Sequence, residues 1–216
     1  LYRVGKKKDD YMGFSTHPTN PKVFFSSGQP NGGGNIGVKK TEHGGFTWKK
    51  ISNGVNGPVD FHAMAVSWAN PDIMYGWYGN ALQRSFDGGK NWEAVTSNLS
   101  YVLALVGDPK DENIAYAATM NGLMVSRDKG NTWEFLGSLK EGPVTALSIN
   151  PQNTQEMLSF SITLGLAKSK DGGKSWEKLS ENFGGEVLLF FAVDPKKPET
   201  IYALMKNNVI YKSSDS

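Results

Sequence analysis

The chain has 216 residues, 23 basic and 21 acidic side chains, a formal charge of +2 and no cysteine. That balance gives no electrostatic reason to expect nucleic acid or an anionic membrane as a partner, and the missing thiols exclude disulfides, zinc–thiolate sites and cysteine nucleophiles. No run approaches the ~20 apolar residues of a membrane-spanning helix, whereas 25 glycines and 12% aromatic residues suit an all-β protein with many turns.

Leu1–Val4 is a lone strand-like segment, followed by the basic run Lys6-Lys7-Lys8, which reads as a solvated loop. Short strands then come in sets of four. The first set is Met12 to Thr16, Val23 to Ser26, Ile36 to Lys40 and Thr47 to Ile51. The second is His62 to Trp68, Ile73 to Trp77, Ala81 to Arg84 and Trp92 to Val95. The third is Val102 to Val106, Ile114 to Ala118, Gly122 to Val125 and Trp133 to Leu136. The fourth is Val144 to Ile149, Met157 to Phe160, Gly165 to Lys168 and Trp176 to Leu179. A fifth runs through Val187 to Val193, Ile201 to Leu204 and Val209 to Lys212. Each opening strand is apolar or small, as a strand covered on both faces should be. Each ends at a Pro-marked turn: His17-Pro18, Asn70-Pro71, Asp108-Pro109, Asn150-Pro151 and Asp194-Pro195. Closing strands such as Trp176-Glu177-Lys178-Leu179 alternate, as half-exposed strands do. No stretch has a helical period of useful length.

One octet joins the third strand of each set to the fourth. It is Ser85-Phe86-Asp87-Gly88-Gly89-Lys90-Asn91-Trp92, then Ser126 through Asp128 to Trp133, then Ser169 through Asp171 to Trp176. A degenerate copy runs from Thr41 to Trp48 with His43 in the Asp position, and Ser213-Ser214-Asp215 opens a fifth. First positions at 41, 85, 126, 169 and 213 give spacings of 44, 41, 43 and 44, the period of a repeat architecture. The Asp bonds backbone N–H groups ahead of it, glycine supplies the positive φ of the reversal, and the Trp has the area to lock the hairpin onto a neighbour.

The octet resembles the Asp-box, or BNR repeat, of sialidase-like and sortilin-like β-propellers. The resemblance implies an all-β propeller of four-stranded antiparallel blades with Asp-box hairpins. The expected blades are 10–51, 60–96, 101–137, 143–180 and 186–216, one array over 1–216, with 1–4 as the outer strand of a preceding or closing blade. The expectation is a partial ring, four complete blades plus most of a fifth, with further blades or another domain completing it. Met12-Gly13-Phe14, Ser26-Ser27-Gly28 and Asp60-Phe61-His62 with Ala63-Met64-Ala65 are similar to secreted prokaryotic BNR-repeat proteins labelled as glycosyl hydrolases. That similarity implies an extracellular or cell-envelope protein, although no signal peptide is visible in this chain.

In such propellers, ligands bind on the face opposite the boxes, near the axis. The loop Ser27 to Asn35 carries six extra residues relative to the second blade, and it contains Gln29 and Asn35. Asp60 and His62 open the second blade on that face and, two apart on a strand, point the same way. Tyr11, Phe61, Tyr78 and Tyr101 offer an aromatic floor or plain blade packing; Asn80, Asn121 and Thr163 are candidate hydrogen-bonders. The ligand-binding candidates are therefore Tyr11, Gln29, Asn35, Asp60, His62, Tyr78, Asn80 and Asn121. Asp87, Asp128, Asp171, Trp48, Trp92, Trp133 and Trp176 are structural. No cofactor and no metal site are expected. Sialidases grip a carboxylate with an arginine cluster, and Arg3, Arg84 and Arg127 do not supply one here. Photosystem assembly factors of the Ycf48 type share the repeat but carry an arginine-rich patch that this chain lacks. The expected function is non-catalytic binding of a protein or glycan; the alternative is a glycoside hydrolase using Asp10, Asp60 and His62.

Overall fold

A computed structural model describes residues 9–180, 187–194, 196–197 and 199–214. The segment Leu1–Val4 and the box position Asp215 lie outside the described residues. Among those described there is no helix. The first sheet is β1 (Asp10–Thr16), β2 (Phe24–Gln29), β3 (Val38–Thr41) and β4 (Lys49–Ser52). The second is β5 (Ala63–Val66), β6 (Met74–Tyr78), β7 (Ala81–Ser85) and β8 (Glu93–Val95). The third is β9 (Val102–Gly107), β10 (Ala115–Thr119), β11 (Gly122–Ser126) and β12 (Glu134–Phe135). The fourth is β13 (Val144–Ile149), β14 (Met157–Ser161), β15 (Gly165–Ser169) and β16 (Glu177–Ser180). The fifth is β17 (Leu188–Val193), β18 (Ile201–Met205) and β19 (Ile210–Ser213). Every pairing is antiparallel between strands adjacent in sequence. Five such sheets, ringed about one axis with β1, β5, β9, β13 and β17 innermost, make a β-propeller.

The core is distributed between blades. Val23, Phe25 and Val38 of the first meet Phe61, Met64 and Met74 of the second. Tyr75, Trp77 and Leu82 meet Leu105, Ala117 and Trp133. Tyr116, Ala118 and Leu123 meet Val144, Leu147 and Met157. Ala146 and Phe160 meet Leu188, Ala203 and Met205. Residues of one strand serve opposite neighbours by parity: Tyr75 packs forward and Met74 backward. The inner strand β5 is covered on both faces in the same way, Met64 and Val66 backward and Ala63 and Ala65 forward, whereas β1, β9 and β17 depart from that expectation and leave Met12, Phe14, Leu103 and Phe190 exposed.

The boxes fold as their residues dictate. In the second blade the Ser85 hydroxyl donates to Asp87 Oδ1 at 2.9 Å and accepts from Gly89 N at 3.0 Å. Asp87 Oδ1 also accepts from Lys90 N and Asn91 N at 3.1 and 2.9 Å. Asp128 and Asp171 repeat this with Thr132 and Ser175, whose hydroxyls donate at 2.7 and 2.6 Å. In all four copies the Trp indole donates to the carbonyl of the glycine at the fifth box position, at 2.9–3.0 Å. In the first copy His43 Nδ1 bonds the Thr47 hydroxyl at 2.9 Å, so imidazole replaces the carboxylate as the clasp. Each box lies beside its own blade's Pro turn, Gly88 N donating to Asp72 O and Lys129 N to Asn113 O. The loops between second and third strands therefore lie on the opposite face.

Candidate functional site

That opposite face is where the inner strands begin. Ser27, fully buried, locks the start of the second blade to the first. Its hydroxyl donates to Val59 O at 3.2 Å and accepts from Phe61 N at 2.9 Å. Phe61 is then fixed between the Trp92 ring, 4.8 Å away, and Gly76, where any Cβ would sit 2.5 Å from the Phe61 ring. The segment Asp60-Phe61-His62 is thus held rigidly at the blade junction.

Phe61 points into the core, so its two neighbours point the other way. The Asp60 side chain is 2% exposed and that of His62 is 54% exposed, with His62 Nε2 at 3.6 Å from Asp60 Oδ2. Asp60 Oδ1 is buried without a hydrogen-bond partner. Burial raises the Asp60 carboxyl above its ordinary range; His62 and Gln29 pull it back and Asp10 pushes it further up. Asn35 donates to the Tyr78 hydroxyl at 2.7 Å and to Pro58 O at 3.0 Å, and Tyr78 meets the His62 ring edge-on at 6.1 Å. The segment expected as a loop from Ser27 is strand as far as Gln29, at the end of β2; the loop beyond it reaches across to the second blade, and together they bring Gln29, Asn35, Asp60, His62 and Tyr78 into one cluster.

Below this cluster the axis opens into a cavity of about 410 Å³. It is lined by Tyr11, Met12 and Phe14 of β1, by Met64, by Leu103 and by Phe190. Met12, Phe14, Leu103 and Phe190 are 48%, 50%, 37% and 57% exposed, so four large apolar side chains face solvent inside one concavity. Of these, only the Tyr11 position was a candidate in the sequence. Only Phe190 stands where the second blade has the small Ala63, and its bulk there was the one available signal; Phe14 stands at the position of Met64. Asn80 and Asn121 stand apart from the cluster. Asn80, with φ 63°, sits with Gly79 in the two-residue turn between β6 and β7, and Asn121 bonds the Ser100 hydroxyl at 3.3 Å. Thr163 bonds back to Ser161 and Glu141. Tyr101, 69% exposed, holds its loop through its carbonyl, which accepts from Met120 N. Arg84 is committed to Glu93, whose Oε1 takes both Nε and Nη2, and to the Lys129 carbonyl. Among the described residues no group of three His, Asp or Glu side chains is placed to hold a metal, and no helix is long and apolar enough to cross a membrane.

Comparison with known proteins agrees with this architecture. The BNR/Asp-box repeat family matches residues 83–94, the second box with its flanking strands. No curated protein matches the chain in sequence. Among solved structures, the GH74 xyloglucanase from Xanthomonas campestris superposes with a TM-score of 0.70 at 18% identity, over 95% of this chain and 36% of the enzyme. YCF48 bound to D1 peptide gives 0.64 at 16% identity, over 97% of this chain and 67% of that one. A chain of the COPII outer coat vertex gives 0.67 at 12% identity, over 93% and 56%. The chain spans about a third of the length of that xyloglucanase and of an ancestral GH74 enzyme. The class is therefore plain: this is a β-propeller of the BNR, or Asp-box, type. At these identities the likeness extends to the fold and stops there.

Proposed function

We propose that the chain is a non-catalytic binding propeller that takes an extended protein segment at the axial mouth opposite its boxes. The observation that carries this reading is the cavity of about 410 Å³ floored by exposed Met12, Phe14, Leu103 and Phe190 and rimmed by His62. Apolar side chains of a peptide would fill the floor, and the imidazole, oriented by buried Asp60, would bond a backbone carbonyl or carboxylate at the rim. One neighbour in fold, YCF48, is seen with a peptide bound. Work outside the cytoplasm, in the envelope or beyond, is part of the same proposal and rests on the sequence resemblance. The test is selection of a phage-displayed random peptide library on the immobilised chain. Captured peptides should lose tenfold or more in affinity with Leu103→Asp and with His62→Ala. Peptides indifferent to both variants would end the proposal.

A second reading, glycoside hydrolysis, draws on one feature. Asp60 is raised by burial and pushed further up by Asp10, and a carboxyl raised beside a second carboxylate is the arrangement such chemistry uses. Release of reducing ends from xyloglucan, lost on Asp60→Asn, would favour it over the first.

A further inference from the structure

Each blade presents to its successor the same two rows of paired residues. The first row is Ala63, Trp77 and Leu82 in the second blade, Ala104, Ala118 and Leu123 in the third, and Ala146, Phe160 and Leu166 in the fourth. The equivalent row of the fifth blade is Phe190, Leu204 and Ile210. The second row is centred on Tyr75, Tyr116 and Leu158, and in the fifth blade on Tyr202. Tyr75, Tyr116 and Leu158 are 1%, 5% and 7% exposed, whereas Tyr202 is 41% exposed. Leu82 and Leu123 are wholly buried, whereas Ile210 is 67% exposed. Leu188, Ala203 and Met205, on the other face of the same sheet, are buried against the fourth blade. Among the described residues the fifth blade is thus packed on one side and exposed on the side that its predecessors use to carry the next blade.

The first blade shows the matching deficit. Trp92 donates from its indole to Ser52 Oγ of the preceding blade at 3.0 Å, and Trp133 and Trp176 pack in the clusters shared with their preceding blades. Trp48 stacks instead on Tyr11 of its own blade, at 5.8 Å. Among the described residues no buried cluster joins the fifth blade to the first.

We propose that the outward face of β17–β19 is an inter-blade interface, and that its occupant is a further Asp-box blade carried on the same polypeptide. The three equivalent faces are each covered by such a blade, joined through a short linker. A tethered blade docks as an intramolecular event, at an effective concentration on the order of millimolar, without the translational entropy that a second copy would lose. Stability in a repeat array is then a sum of such nearest-neighbour contacts. The inference is independent of what the axial mouth binds.

The test is to extend the chain after Ser216 with a second copy of residues 130–180, which resumes the repeat in register, and to compare thermal unfolding midpoints. The extended chain should melt higher by roughly 5 °C or more, and Tyr202→Asp with Ile210→Asp should cancel that gain. The same pair of substitutions should move the unextended chain by about 1 °C or less, because it changes exposed residues. An extension that brings no gain, or a gain that survives the two substitutions, overturns the proposal. So does a concentration-dependent dimer of the unextended chain that the substitutions dissolve, since the face would then belong to a second copy.

Discussion

Tyr75 and Tyr116 hold equivalent positions in successive blades, yet their hydroxyls have opposite fates. Tyr116 donates to Asp108 Oδ2 at 3.1 Å, and burial followed by the Asp108 charge pushes its phenol up. Tyr75 is 1% exposed and its hydroxyl has no partner; burial pushes this phenol up to about 12. The cause is a single position: the backbone site that is Asp108 in the third blade is Ser67 in the second, Asp108 N donating to Ile114 O and Ser67 N to Ile73 O in equivalent turns. The same substitution, Tyr to Phe, should therefore act with opposite signs. Tyr116→Phe removes a bond to a carboxylate and strands that acceptor, at a cost of about 2 kcal/mol. Tyr75→Phe removes a buried orphan and should stabilise by roughly 1 kcal/mol. Urea titration followed by tryptophan fluorescence reads both, as midpoints shifted in opposite directions at unchanged slope. If both variants lose stability, the hydroxyl of Tyr75 has a partner and the reasoning fails.

Three other expectations follow from the geometry. Asp171 is lowered to about 2, first by the Ser175 hydroxyl and then by the Ser175 N–H and the Ser169 hydroxyl. Its folded value lies below an unfolded value of about 3.9, so its contribution is complete above that pH and is lost as pH falls toward 2. The melting difference between wild type and Asp171→Ala should accordingly shrink between about pH 4 and pH 2; a constant difference would deny the carboxylate its role as the clasp. Gly76→Ala drives a Cβ into the fully buried Phe61 ring and should cost about 1–3 kcal/mol in chemical denaturation, a wild-type midpoint being the contrary result. Asp60 is raised by burial, so its contribution favours the fold at low pH and is lost as pH rises through the folded value. Asp60→Asn should raise the melting temperature at pH 7 while leaving it unchanged near pH 3, and a loss at pH 7 would show that the charge is fully compensated.

The fold was legible because its signal is periodic and local. Asp87, Asp128 and Asp171 recur in the same eight-residue frame, and one hairpin chemistry explains all three. The parity by which Met74 and Tyr75 serve different neighbours follows from strand geometry once a blade is assumed. The candidate site was legible only where it too is local. Asp60 and His62 are two apart in sequence, but they lie just before β5 and not on it; the extra length of the segment Ser27 to Asn35 marked Gln29, which ends β2, and Asn35 in the loop beyond. The bond from Asn35 to Tyr78 joins residues of different blades and leaves no trace in spacing. Asn80 was a candidate by its position at the end of a blade; Gly79-Asn80 also forms the two-residue hairpin turn between β6 and β7, with φ 63° at Asn80. The cavity floor escaped because Met12, Leu103 and Phe190 have the composition of core residues, and their exposure in the axial cavity is a property of the assembled blades.

The most direct measurement is of where a ligand lands. Amide and methyl NMR spectra of the chain, titrated with a peptide selected on it, should shift His62, Met64 and Leu103 together and leave the box indoles of Trp92, Trp133 and Trp176 in place. Shifts confined to those indoles would put binding on the other face, and xyloglucan cleavage that disappears with Asp60→Asn would replace a binding module with an enzyme.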